Sequence, residues 1–137
     1  MKKFDTAYIN NKKAGIEELK EIVNNLFTDD SEEWLCLFDT SKKNPSYIQV
    51  HSDIGILDDF NSVIKFIKSN LNYETSALDE IDFYLIEYRK YESIEDFKHY
   101  RAFFDNPETI ISYFEKYMND EEINVENWID VTDDFEE

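Results

Sequence analysis

Apolar residues recur along this chain with two different periods, and the period changes several times. Recurrence every three or four residues marks one face of a helix, and alternation marks a strand. Ile16, Leu19, Ile22, Val23, Leu26 and Phe27 predict a helix from Ile16 to Phe27, with Glu17, Glu18 and Glu21 toward the positive end of its dipole. Leu57, Phe60, Val63, Ile64, Ile67 and Leu71 predict a second from Leu57 to Leu71, with Lys65 and Lys68 toward its negative end. Asn106-Pro107-Glu108 reads as a helix start, with a capping side chain, a proline at the first helical position and an acid in the first turn. The stripe Ile110, Ile111, Phe114, Tyr117 and Met118 continues it.

Strands are expected between these helices. Trp34 to Phe38 is a continuous apolar run, predicting a strand buried on both faces. A polar turn from Ser41 to Pro45 leads to Tyr47–His51, which alternates as a half-buried partner. Ile81 to Tyr88 predicts a central strand, and Phe4 to Ile9 an edge strand. Ser93 to Phe104 fits either period; a strand hairpinned to Ile81–Tyr88 is the favoured reading over a helix. Val125 to Val131 reads as a short last strand or an ordered acidic tail, docked by Trp128 and Ile129. Only two Gly and two Pro leave little scope for tight turns or a flexible linker. The expected fold is therefore a single α+β domain over residues 1–137, a small, mostly antiparallel sheet with about three helices packed on it. Its segment 117–137 is expected to be acidic and docked.

Acid outnumbers base by 32 to 14, a formal net charge of −18. No basic residue follows Lys116, and the nine carboxylates beyond it supply half of that charge (9 of 18). Aromatics at 16% separate the chain from disordered acidic tails, which are poor in them. Surplus negative charge argues against nucleic acid or an anionic membrane as direct ligands, and raises the encounter rate with a basic surface. One cysteine, Cys36, and an N-terminus without an apolar signal segment fit a soluble protein of the reducing cytoplasm.

Residues suited to chemistry are sparse. Cys36 lies within the most apolar run and reads as a packing residue. His51 and His99 lack metal-ligand spacing and read as surface or rim side chains. The acidic runs Asp29-Asp30, Glu32-Glu33, Asp58-Asp59, Asp120-Glu121-Glu122 and Asp133-Asp134 read mostly as solvated faces. Neither a phosphate-binding glycine loop nor a nucleophile motif is present, so no enzyme activity, metal or cofactor is expected. Acids interleaved with aromatics are more informative, because rings supply contact area and carboxylates pair with Arg and steer encounter. Glu126, Trp128, Asp130, Asp133 and Asp134 form one such stretch; Tyr84, Glu87, Tyr88, Tyr91, Glu92, Glu95 and Asp96 form another. Both are candidate partner-binding surfaces.

A small acidic α+β domain without signal or catalytic motif, with stretches such as Glu126-Asn127-Trp128-Ile129-Asp130, resembles the immunity proteins that bacteria pair with secreted or contact-delivered toxins. That resemblance is one of general character and carries over no residue. It implies a cytoplasmic, monomeric inhibitor in a tight one-to-one complex with a basic toxin domain, most simply a nuclease. Three other readings compete, the blandest a structural or adaptor protein that binds a neutral partner through an apolar patch. A DNA-mimicking inhibitor of a nucleic-acid enzyme requires a long track of acids, whereas an immunity protein requires a compact patch. A small enzyme or ligand-binding domain requires a cavity holding a carboxyl of raised pKa beside His51 or His99.

Overall fold

The computed structural model describes residues 1–28, 33–41, 46–53, 60–74, 81–93 and 95–135. In chain order the elements are β1 (Lys2–Thr6), β2 (Lys12–Lys13), α1 (Ile16–Asn24), β3 (Trp34–Asp39), β4 (Tyr47–His51), α2 (Phe60–Leu71), β5 (Tyr84–Tyr91), β6 (Phe97–Phe104), α3 (Pro107–Met118) and β7 (Ile129–Asp130). A 3-10 turn, Thr132–Phe135, follows. The seven strands form one sheet in the order β2-β1-β3-β4-β5-β6-β7, every neighbouring pair antiparallel. The fold is α+β, as expected.

Register sorts the side chains into two faces. Leu35, Val50, Ile86 and Ala102 are cross-strand partners in one row, and all are buried. That face carries α3, which contacts β4, β5 and β6, and α3 in turn packs on α1. Phe27, just past α1, meets Tyr84 edge-on at 4.8 Å. Trp34, His51, Leu85 and Phe103 form a row on the opposite face. Here α2 packs through Phe66, 5.6 Å from Phe103, and Tyr73 stacks edge-on against Phe83 at 5.5 Å. One contiguous cluster of buried apolar side chains runs through strands and helices alike.

Local chemistry explains most element ends. Asn106 caps α3 by accepting from the Thr109 backbone N–H at 2.8 Å, ahead of Pro107. The side chain of Asn25 donates to the Glu21 carbonyl and closes α1 early, so Leu26 and Phe27 bury their side chains from a turn rather than a last helical turn. The expected start of α2 at Leu57 and most of the expected turn from Ser41 to Pro45 (residues 42–45) lie outside the described residues, as do Asp29-Asp30, Glu32 and Asp58-Asp59.

Three strand expectations change. The N-terminal strand is interior rather than at an edge, because the chain turns at Asn11 (φ 56°) and lays β2 outside it. Trp34 to Phe38 is not buried on both faces: Leu35 and Leu37 are buried, while Trp34, Cys36 and Phe38 are half-buried. The reason is that α2, on their side of the sheet, lies chiefly against β6. The strand expected from Ile81 to Tyr88 runs instead from Tyr84 to Tyr91 and lies one place from the centre. The period-two reading of 93–104 holds for Phe97–Phe104, and Ile129–Asp130 forms the short last strand. Both edge strands are two residues long and carry charge, which suppresses edge-to-edge pairing. Among the described residues no helix is long and apolar enough to cross a membrane.

Packing at Phe103 and capping at Asn106 differ in weight. Phe103→Ala is expected to cost about 3–5 kcal/mol and Asn106→Ala about 1 kcal/mol in urea unfolding. Equal losses would contradict the two-faced core.

Candidate functional site

The pleat of β5 and β6 divides the stretch Tyr84 to Asp96 between the two faces. Tyr88 lies directly opposite Tyr100, and Lys90 opposite Lys98, on the face that carries α1 and α3. Glu87 lies opposite Arg101, Arg89 opposite His99 and Tyr91 opposite Phe97, on the other.

On the first face, the chain leaving α3 folds back beside the paired tyrosines. Asp120 adopts φ 57°, the Glu121 N–H bonds to the Lys116 carbonyl at 2.8 Å, and the Asp120 N–H bonds to the Tyr117 carbonyl at 3.2 Å. This is a Schellman turn with aspartate at the left-handed position that glycine usually occupies. Residues 120–126 then form one wall of a groove of about 660 Å³, with Tyr88 and Tyr100 among its lining. Glu92, Asp120, Glu121, Glu122 and Glu126 bring five carboxylates to it, against one cation, Lys90, among its described lining residues. At one end Lys2 Nζ sits 2.9 Å from Asp120 Oδ1. Burial, and then the charges of Glu122 and Glu92, push the Tyr88 phenol above its ordinary pKa.

On the second face lies a buried charge cluster. Glu87 is 5% exposed and His99 0%. His99 Nε2 is 2.7 Å from Glu87 Oε2, Arg101 Nη2 donates to the same oxygen at 3.3 Å, and Arg89 Nε donates to His99 Nδ1 at 3.1 Å. Because Nδ1 accepts, the imidazole is the neutral tautomer that donates from Nε2. Burial alone would raise the Glu87 pKa; the His99 hydrogen bond and the Arg101 charge outweigh it, and the carboxyl stays below its ordinary value. Arg89 stacks 4.3 Å from the Phe97 ring centroid and 5.3 Å from that of Tyr47. With both ring nitrogens engaged, His99 has no site from which to take a substrate proton. The backbone at His99 docks the C-terminal segment: the His99 N–H donates to Thr132 Oγ1, and the Val131 N–H to the His99 carbonyl.

His99 is thus a core residue, not the expected surface or rim histidine, because Arg89 and the Glu87 carboxylate satisfy its two ring nitrogens. His51 is half-buried, and burial lowers its pKa. Burial, with Asp5 adding to it, pushes the Cys36 thiol up to about 12, which leaves no thiolate at neutral pH.

The candidate partner residues separate accordingly. Tyr88, Glu92 and Glu126 line the groove together. Asp130 lies opposite Tyr100, but its Oδ1 accepts from the Thr132 N–H (2.9 Å) and hydroxyl (2.5 Å). Asp133 and Asp134 are exposed on the 3-10 turn, and Glu95 and Asp96 at the β5–β6 connection. Trp128 packs edge-on against Tyr113 at 5.1 Å, Tyr91 packs on Phe97 at 5.8 Å, and Tyr84 and Glu87 are buried. Sequence reasoning did not include Tyr100 or Asp120-Glu121-Glu122 among the candidates. The available signals were an acidic run directly after a helix end and the register that pairs Tyr100 with Tyr88. The chain matches no protein-family model, no curated protein and no solved structure.

Two outcomes are expected. Glu87→Gln leaves Arg101 without its buried counter-charge and is expected to cost about 3–5 kcal/mol at pH 7. Its folded pKa is depressed, so the native carboxylate's contribution is present above the unfolded value of about 4.3 and is lost as pH falls through the folded value. Urea midpoints of the variant should therefore fall less steeply than wild type below that pH. An unchanged acid limb would remove Glu87 from the account. Separately, Asp120→Gly relieves the left-handed strain and removes an acid from a helix C-terminus, so thermal stability should hold or rise by about 1 kcal/mol. Asp120→Ala should lower it.

Proposed function

We propose that this protein is an acidic inhibitor that receives cationic side chains of a basic partner in the groove beside Tyr88 and Tyr100. The observation that supports it is the gathering of Glu92 from the β5–β6 connection with Asp120, Glu121, Glu122 and Glu126 from the segment after α3. Stability alone does not favour that arrangement. Acids stand at the negative pole of α3, where cations are stabilising, and an aspartate holds a position suited to glycine. A cationic partner turns the first of these costs into attraction. Tyrosine rings beside carboxylates match guanidinium groups through face stacking and bidentate pairing.

An enzyme that grips phosphates presents such cations, and filling its groove blocks substrate. The leading reading is therefore the cytoplasmic immunity protein of a co-encoded nuclease-type toxin, in a one-to-one complex without catalysis by this chain. The groove's compactness favours it over a DNA mimic, which needs acids along a duplex-length track. The Glu87–His99 pair, lying outside the groove with both imidazole nitrogens engaged, gives no support to an enzymatic reading.

The test is to capture the partner from the native host, or to express the product of the neighbouring gene, and to measure association by stopped flow. Glu92→Gln, Glu122→Gln and Glu126→Gln together are expected to slow association about tenfold or more at low salt and to flatten its ionic-strength dependence. Unchanged rates in that triple variant, with slower association when Asp133 and Asp134 are neutralised, would move the interface to the 3-10 turn.

A further inference from the structure

A second pair of grooves lies on the other side of the segment that walls the acidic one. They adjoin between α2 and residues 124–129, measure about 350 and 280 Å³, and share Phe66, Asn70 and Asn127 as lining residues. In a chain with 32 acidic residues, neither has an Asp or Glu among its described lining residues. Aromatic rings form much of the lining: Phe66, Phe104, Tyr113 and Trp128. They brace one another, with Trp128 edge-on to Tyr113 at 5.1 Å and Phe66 edge-on to Phe104 at 6.3 Å.

Several hydrogen-bond donors here are unmatched. Among the described residues, the Trp128 indole N–H, the ammonium groups of Lys65 and Lys116 and the Asn127 carboxamide have no hydrogen-bond or ion-pair partner. An indole N–H and an ammonium only donate. Two lysines without an ion pair among the described residues, in a chain where carboxylates exceed cations more than twofold, mark a place with no acid in its described lining. Apolar rings beside unmatched donors call for a flat apolar body bearing an acceptor-rich charge.

We propose that this groove is a binding site for a small anion that carries an aromatic ring, either an aromatic carboxylate or an aromatic phosphate ester. The ring lies against the Phe66 and Trp128 side of the groove, and the anionic group takes the lysine and indole donors. This site is independent of the acidic groove, and each proposal stands or falls without the other.

The test is a titration of the isotopically labelled full chain followed by nitrogen–proton NMR. Adenosine 5′-monophosphate supplies a ring with a phosphate and 1-naphthoate a ring with a carboxylate; adenosine and inorganic phosphate supply each part alone. At least one ring-bearing anion should saturably shift the Trp128 indole signal and the Asn127 side-chain amide at millimolar concentration. Which one does so identifies the anionic group. The separated parts should bind about tenfold more weakly or worse. Lys65→Gln with Lys116→Gln, both surface changes, should weaken binding about tenfold while the thermal midpoint stays that of the parent. Absence of shifts with both ring-bearing anions would overturn the proposal. So would equal affinity for adenosine alone, or a double lysine variant that binds as well as the parent.

Discussion

Glu87 is a carboxylate held almost out of water, and only one register of β5 against β6 supplies it with both His99 and Arg101. A slip by a single residue would exchange the faces. Glu87 would then point under α1 and α3 with no counter-charge, and Tyr88 would leave the side of the sheet that it shares with Tyr100. The cost of an unpaired buried charge is of the order of several kcal/mol, a large fraction of a domain's whole stability. The polar cluster on one face therefore specifies the register that builds the tyrosine pair on the other. The backbone of the same strand holds the C-terminal segment, since His99 accepts the Val131 N–H at its carbonyl and donates its own N–H to Thr132 Oγ1.

Charge is distributed with the same asymmetry. Both arginines and both histidines of the chain lie on the α2 side of the sheet, at Arg89, Arg101, His51 and His99. On the other side the groove collects carboxylates from two segments far apart in sequence. A net charge of −18 spread evenly would oppose compaction without directing any encounter. Five carboxylates gathered beside low-dielectric aromatic walls focus field lines, and the charges of Glu122 and Glu92 add to burial in raising the Tyr88 pKa. The far side of that segment behaves differently: Asn124, Asn127 and Trp128 line a region with no acid in its described lining. One short segment separates two surfaces of contrasting chemistry.

Much of the fold was legible in the sequence because it rests on local rules. Asn106-Pro107 announced α3 through capping chemistry, and the period-two pattern of 97–104 gave β6. What stayed hidden depends on partners distant in sequence. Trp34 to Phe38 is uniformly apolar, yet its two faces differ because α2 lies against β6 and leaves one side of β3 half-covered. Phe4 read as part of an edge strand, since two lysines at 12–13 carry no strand signal of their own. His99 looked like a surface residue until Arg89 and Glu87 closed on it from the neighbouring strand. The site was half legible for the same reason. Alternation of acids and rings marked Tyr88, Glu92 and Glu126, but the pleat that buries Glu87 and the turn at Asp120 that brings in Glu121 and Glu122 are properties of the folded chain.

The central physical claim is that the acids form one focused negative well rather than a diffuse coat. It is tested most directly by mapping the near-surface potential, comparing the relaxation that cationic and anionic paramagnetic cosolutes induce at individual protons. The account predicts the most negative potential at the amides of 120–126 and around Tyr88 and Tyr100, well below that at the equally acidic Asp133 and Asp134. A potential no deeper there than over the 3-10 turn or α1 would contradict it.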